Sequence, residues 1–108
     1  MLERDFQAKL IKELKLKLPG CFILKNDSDY LGGVPDLLIL FGDRWAMLEV
    51  KRTKPRNCSD YEPNQEYYID LLDKMSYAAC IYPANKEDVL NDLQHALRPR
   101  RATRVSQR

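Results

Sequence analysis

Two apolar, strand-like segments on either side of Gly42–Asp43 are the feature that most constrains how this 108-residue chain can fold. They cover residues 35–41 and 44–52, and both are rich in residues that favour β-strands. A Gly-Asp connection between two such segments predicts an antiparallel hairpin with a type I′ or II′ turn. With these two residues at the centre of the turn, residues that face each other have numbers that sum to 85.

This register brings three charged residues together at the open end of the hairpin. Asp36 lies opposite Glu49, and Lys51 shares their face because side chains in a strand alternate with a period of two. Directly opposed carboxylates destabilise a sheet, whereas Mg²⁺ is typically bound by one or two carboxylates together with water and phosphate oxygens. The pattern therefore indicates a divalent-metal site with a lysine beside it. The alternative is an ordinary ion pair at the strand ends.

The remaining segments predict a single α/β domain. Phe6, Leu10, Leu14 and Leu18 recur every four residues, which predicts an amphipathic helix over about 3–18. The order αβββαβα indicates a mixed sheet flanked by helices. The other predicted elements are a strand at 21–25, a helix from about Pro63 to Met75, a strand at 77–83, and a last helix over 86–97 that Asn85 caps with Asp88 in a capping-box variant.

Charge is distributed unevenly along the chain. Residues 98–108 contain five Arg and no acidic residue, while residues 1–97 carry the other 13 Lys and Arg against all 16 Asp and Glu, a net charge of −3. We therefore expect a folded domain over 1–97 and a basic, flexible tail over 98–108. Such a tail either contacts nucleic acid or serves as a solubilising end.

The composition is that of a cytoplasmic protein. The chain has 44% hydrophobic and 31% charged residues, no apolar run approaches the roughly 20 residues that span a bilayer, and the charged N-terminal segment has no signal-peptide core. The 3 Cys are odd in number and widely spaced, which favours reduced thiols over disulfides or a zinc site. We therefore expect a cytoplasmic location and no membrane association.

Several short motifs follow one another in a characteristic order. "PD" at 35–36 is followed, after the hydrophobic hairpin, by "EVK" at 49–51, and the wider pattern includes "ERDFQ", "GGVPDLLIL", "MLEVKR" and "PNQEYYIDLL". Over residues 3–93 the chain resembles the PD-(D/E)XK nuclease superfamily, in particular its small VRR-NUC-type and phage-borne members. The resemblance implies a restriction-endonuclease-like αβββαβ core and hydrolysis of DNA phosphodiester bonds with Mg²⁺ or Mn²⁺, in a bacterial, archaeal or phage-infected cell.

The resemblance also implies which residues form the metal site. Asp36 and Glu49 match the two metal-binding carboxylates, and the main-chain carbonyl of Val50 matches a third ligand. Lys51 matches the catalytic lysine, which would orient the attacking water or help to deprotonate it.

Two further positions match more distant parts of the motif. Glu3 matches the acidic residue of the first helix that reaches the metal site, and Gln65 matches the glutamine at the start of the helix after the core strands. Glu3 equally suits a helix N-terminus, where a carboxylate interacts favourably with the helix dipole, and Asp5 could replace it if the helix begins elsewhere. Gln65 could also be a solvated first-turn residue. Gln7, one turn after Glu3, fits the pattern as well.

The expected activity is a structure-selective DNA endonuclease that acts on branched, flap or junction DNA. A chain of 108 residues leaves little room for a separate base-reading domain, which favours recognition of DNA shape, and symmetrical cutting of two strands would call for a homodimer. The alternatives are a nicking or restriction-like nuclease, or a catalytically idle DNA-binding module. Besides the tail, the candidate phosphate contacts are Lys25, Arg52, Lys54 and Arg56. Ser28 and Tyr30, in the loop that precedes Asp36, are candidate contacts to the cut strand; the alternative is that this loop is a plain connecting turn.

Four apolar residues share the predicted face of the carboxylates. They are Leu38, Leu40, Trp45 and Met47. Because residues of these types are usually buried, we expect them to belong to the hydrophobic core and not to stack on bases.

Overall fold

The computed structural model describes residues 2–26, 31–55 and 64–98. The α/β class and the predicted order of elements are confirmed: three helices flank one four-stranded mixed sheet. None of the helices in these ranges is long and apolar enough to cross a membrane. The elements are α1 (Glu3–Lys17), β1 (Phe22–Lys25), β2 (Leu37–Phe41), β3 (Arg44–Val50), α2 (Gln65–Met75), β4 (Ala78–Ile81), a 3-10 turn (Pro83–Asn85) and α3 (Lys86–Leu97).

The β2–β3 hairpin has the predicted register. Its pairs run from Phe41 opposite Arg44 to Leu37 opposite Leu48. Gly42 has a φ angle of 63°, while Asp43 is not among the described residues with positive φ. This combination fits a type II′ turn, in which Gly at the first central position adopts the left-handed conformation at little cost.

Both hairpin strands end two residues earlier than predicted at the open end. The predicted strands cover 35–41 and 44–52, whereas β2 begins at Leu37 and β3 ends at Val50. The reason is that the main-chain N–H of Val50 donates a 2.9 Å hydrogen bond to Oδ2 of Asp36, so that a side chain replaces the next main-chain pairing. Pro35 has no N–H to donate and cannot extend the ladder.

The strand order in the sheet follows the chain, β1-β2-β3-β4. β1 and β2 are antiparallel, as are β2 and β3, while β4 runs parallel to β3. A parallel neighbour requires a crossover connection, and α2 lies within that connection. The crossover carries α2 across the sheet and brings its first residue, Gln65, to the end of β3.

One face of the sheet, here called the core face, packs with α1 and α3. Its strand residues are buried: Leu37, Ile39, Ala46, Leu48, Val50 and Ile81. They alternate with residues of the other face, as expected for strands. The helices supply buried residues at helical spacing, which are Phe6, Leu10 and Leu14 of α1 and Val89, Leu90, Leu93 and Leu97 of α3.

The opposite face, here called the site face, is covered only in part by the described residues. It holds Asp36 and Glu49, and α2 packs against its β3 and β4 strands. Of the four apolar residues expected in the core, only Met47 is buried, at 8% exposure, while Leu38, Leu40 and Trp45 are half-buried. The core prediction was therefore wrong for these three. Alternation places them on the face that lacks α1 and α3.

The starts of α2 and α3 also differ from the sequence prediction. Pro63 lies outside the described residues, and α2 begins at Gln65 after Asn64, which has a left-handed φ of 71°. Asn85 does precede α3, but its side chain accepts a hydrogen bond from the N–H of Tyr82 and donates one to the carbonyl of Cys80. No side chain caps α3, so the capping box with Asp88 is not formed.

Candidate active site

Glu49 is the centre of the candidate active site. It lies near the end of β3 and is 2% exposed, which makes it a rare buried carboxylate among the described residues. Its Oε2 accepts a 2.7 Å hydrogen bond from Nε2 of Gln65 and lies 3.4 Å from Nζ of Lys51. Its Oε1 is buried and has no hydrogen-bond partner within the part of the chain that the structure describes. A buried oxygen without a partner is costly, so Oε1 is the atom of this site that is best placed to bind a ligand from outside the chain.

Asp36 approaches Glu49 from β2, as the register predicts. The pair Leu37–Leu48 is the last of the ladder, and Asp36 and Glu49 are the next opposed residues. Oδ2 of Asp36 is held by the main-chain N–H of Val50, the residue after Glu49. This hydrogen bond fixes the Asp36 carboxylate at the end of β3.

The environment of Glu49 favours its protonated form. Burial raises the pKa of Glu49 to about 8, and the nearby negative charge of Asp36 adds to the rise, while Lys51 lowers it. Placing two carboxylates side by side, with one of them buried so that it resists ionisation, costs folding free energy. A purely structural role offers nothing to offset this cost. A divalent cation between them would remove this conflict, because metal ligands bind in their deprotonated form.

Lys51 lies on the same face as Glu49 and is largely buried, with a side-chain exposure of 16%. Its main-chain N–H donates to the carbonyl of Ile81, which ties the end of β3 to β4. The ammonium group therefore sits at the rim of the site face beside both a carboxylate and open solvent. This arrangement suits a lysine that contacts a phosphate or a water molecule.

Glu3 reaches the neighbourhood of the site from the first turn of α1. It is exposed, and its negative charge makes a small contribution to the raised pKa of Glu49. Asp5 makes no such contribution, and α1 begins at Glu3, so the alternative assignment to Asp5 is not favoured. Gln7 is half-buried one turn further along.

Gln65 lies where the motif implies, at the first residue of α2, and is 5% exposed. The alternative in which it is a solvated first-turn residue is wrong, because its amide is buried against Glu49. Since Gln65 donates to Oε2, it holds one oxygen of Glu49 in place and leaves Oε1 for another partner.

The donor set fits a hard divalent cation. Among residues 2–26, 31–55 and 64–98, no three His, Cys, Asp and Glu side chains are grouped so that they could hold a metal ion. A cation at this position would therefore rely on two carboxylates, Asp36 and Glu49, completed by the Val50 carbonyl and water. Oxygen-only coordination with few protein ligands is typical of Mg²⁺, and Oε1 of Glu49 is an oxygen atom that could coordinate the ion.

The candidate DNA contacts are only partly within the described residues. Lys25, Arg52 and Lys54 are exposed. Arg52 and Lys54 follow shortly after the end of β3. Lys25 pairs with Leu37, so the register places it on the core-face side of the sheet edge. Ser28, Tyr30, Arg56 and residues 99–108 of the basic tail lie outside the described residues.

Asn26 is a residue of the site that the sequence interpretation missed. Its side-chain amide donates a 2.6 Å hydrogen bond to the carbonyl of Pro35, and its main-chain N–H donates to the carbonyl of Asp36. Asn26 thereby holds the segment that carries Asp36. The β1–β2 register places residue 26 opposite residue 36. This register has to be known before Asn26 can be assigned to the site, so the sequence pattern alone did not identify it.

Comparisons with protein-family models, curated proteins and solved structures give no match for the chain. The functional assignment therefore depends on the geometry and chemistry of the site itself.

Proposed function

We propose that the protein is a divalent-metal-dependent endonuclease that hydrolyses DNA phosphodiester bonds. The observation that carries the proposal is the buried Glu49 carboxylate, which has an unpartnered Oε1 and lies beside Asp36 and Lys51. A surface that only binds DNA gains nothing from facing carboxylates, because they repel phosphate. This argues against the catalytically idle binding module.

Asp36, Glu49 and the Val50 carbonyl would hold the metal ion. When bound, Mg²⁺ or Mn²⁺ supplies positive charge that offsets the phosphate, lowers the pKa of an attacking water and stabilises the transition state. Gln65 keeps Glu49 oriented through its 2.7 Å hydrogen bond. The negative charge of Glu3 acts on Glu49, and Glu3 would contact the same region through water.

Lys51 would orient the attacking water or a phosphate oxygen. In the reaction the water oxygen forms a bond to phosphorus, one P–O ester bond breaks, and the departing sugar oxygen gains a proton. Lys51 is held near Glu49 by their 3.4 Å ion pair, which keeps the ammonium group at the place where phosphate would approach.

The expected substrate is branched DNA, such as a flap or a junction, and a homodimer would provide the two related sites that symmetrical cutting needs. The odd number and wide spacing of the 3 Cys support a cytoplasmic setting, in a prokaryotic or phage-infected cell.

A cleavage assay with matched variants tests the proposal. Asp36→Asn, Glu49→Gln and Lys51→Ala should each lower Mg²⁺-dependent cleavage of flap, junction, linear and supercoiled DNA at least a hundred-fold, on the order of a lost charge-stabilising group. Asp88→Asn on α3 and Lys74→Ala on α2 make the same chemical changes at exposed positions and should leave cleavage unchanged. Full activity in both carboxylate variants would disprove the assignment.

A further inference from the structure

Among residues 2–26, 31–55 and 64–98, no helix packs over the β1 half of the site face. α2 packs against β3 and β4, while Phe22 and Leu24 of β1 are 60% and 41% exposed. Leu38, Leu40 and Trp45 beside them are half-buried. We call these five residues the open platform. It is an apolar surface on the same face of the sheet as the candidate active site.

The open platform begins directly beside the catalytic carboxylates. Leu24 pairs with Leu38, two residues from Asp36, and the next row of the same face contains Phe22, Leu40 and Trp45. Each two-residue step along a strand covers about 6.8 Å, so the second row lies about 14 Å from the carboxylates. A DNA strand with one phosphate at the site could extend over this surface.

The size of the open platform argues against a second copy of the chain as its occupant. Only Phe22 and Leu24 are more than a third exposed, and a whole aromatic side chain buries about 150 to 250 Å². Covering the platform would therefore remove roughly 300 Å² from water, whereas a standard protein interface needs about 800 Å² from each partner. The area suits one or two flat rings.

The surrounding charges favour a nucleic-acid strand. The open platform itself is uncharged, and two exposed cations, Arg52 and Lys54, follow the end of β3 at its active-site end. The exposed surfaces of α2 and α3 are net acidic instead: against the exposed Lys74 they carry Glu66, Asp70, Asp73, Glu87, Asp88 and Asp92. A polyanion is therefore repelled from these helices and attracted to the end of the sheet next to the platform.

We infer that the open platform stacks the unpaired bases of the DNA strand whose phosphate lies at the active site. Aromatic side chains on an exposed sheet are effective stacking surfaces because every base has a π-face, and Phe22 and Trp45 supply two such rings. This inference rests on the proposed nuclease function and specifies its substrate class: DNA with a single-stranded segment next to the cut, as in a flap or an opened junction.

Trp45 makes the inference directly measurable, since it is the only tryptophan of the chain. The full-length protein, without divalent metal so that DNA stays intact, is titrated with a short oligo(dT) and with a blunt duplex of the same length. Oligo(dT) should quench the Trp45 emission. Phe22→Ala should weaken oligo(dT) binding about five- to a hundred-fold, the loss expected for one base–aromatic stack, while duplex affinity stays the same.

Two variants serve as controls. Phe22→Tyr keeps the ring and should retain oligo(dT) affinity. Leu16→Ala removes an 80% exposed side chain from α1, on the other side of the sheet, and should change neither affinity. Because Phe22 is itself exposed, its variants should unfold at the same urea concentration as the wild type, and this is checked by circular dichroism.

Three results would overturn the inference. These are unchanged oligo(dT) affinity in Phe22→Ala, an equal loss for duplex and single strand, or a dimer that becomes monomeric on sedimentation when Phe22 is replaced. Failure of the nuclease proposal gives a different pattern: no metal-dependent cleavage of any DNA, with Trp45 quenching by oligo(dT) still present.

Discussion

The core face and the site face are made from alternate residues of the same strands, yet they are packed very differently. The side chain of Leu37 is fully buried between the sheet and the helices of the core face, whereas that of its neighbour Leu38 is half-buried on the site face. Both are leucines in one apolar run. The difference shows that the covering helices, not the strand sequence, decide which side of this sheet becomes the core.

The two faces also treat charge differently. On the core-face side the ion pairs lie at the periphery, as with Lys86 of α3 and Glu13 of α1, 2.9 Å apart and partly exposed. On the site face the charge is buried in Glu49. Burying a carboxylate next to Asp36 costs folding free energy. The site face therefore lowers the stability of the fold, whereas the apolar core face raises it.

The largest expected effect is a difference in stability between two variants at adjacent positions, one on each face of the sheet. Leu37→Ala should lower the free energy of unfolding by about 2 to 5 kcal/mol, because it leaves a cavity in a closed core. Leu38→Ala should cost about 1 kcal/mol or less, since its surroundings are already solvated in part. Urea unfolding of both variants measures the difference. Equal losses would mean that the site face is packed as tightly as the core face.

A second prediction concerns the pH dependence of stability. Because the pKa of Glu49 is raised to about 8 in the fold and lies near 4.3 in an unfolded chain, the folded state binds the extra proton between these values. The metal-free protein should therefore lose stability as the pH rises from 5 to 8, with a slope of up to about 1.4 kcal/mol per pH unit.

Glu49→Gln tests this prediction because it removes the titrating group. The variant should lose most of the slope and be more stable than the wild type at pH 8. Tyr77, whose pKa burial raises to about 12, titrates above this range and does not contribute. A slope that persists in Glu49→Gln would show that another group causes it.

The smallest expected effect lies at the boundary between the two faces, at Asn26. Asn26→Ala removes the side-chain hydrogen bond to Pro35 and should cost about 1 kcal/mol of unfolding free energy. It should also weaken Mn²⁺ binding in calorimetry, because the segment that carries Asp36 loses a restraint. Asn91→Ala, at an exposed position of α3, is the matched control. Unchanged Mn²⁺ affinity in Asn26→Ala would show that Asn26 does not position Asp36.

The hairpin and the position of its carboxylates could be predicted from the sequence because local chemistry determines them. Gly42 and Asp43 set the turn, the turn sets the register, and the register brings Asp36 opposite Glu49. The helix of the first segment was equally readable from its four-residue apolar spacing.

Tertiary contacts determined what the sequence could not show. The burial of Gln65 depends on how α2 crosses the sheet, and the exposure of Leu38 and Trp45 depends on which face the helices leave open. Asn85 was predicted to cap α3 from its position alone, but the carbonyl of Cys80 and the N–H of Tyr82 compete for its side chain. Such competition involves partners that no local pattern identifies.

The crossover through α2 has a consequence for the order of events during synthesis. The carboxylates of Asp36 and Glu49 belong to one hairpin, and hairpins form within microseconds of becoming available. Gln65 and the parallel strand β4 are made later; Gln65 then donates to Glu49, and Ile81 of β4 accepts from the main-chain N–H of Lys51. A chain still on the ribosome can thus hold the acidic pair in open water, while the enclosed arrangement arises only after α2 and β4 have been made. Under the proposed function, the site would be complete only after α2 and β4 had docked against β3.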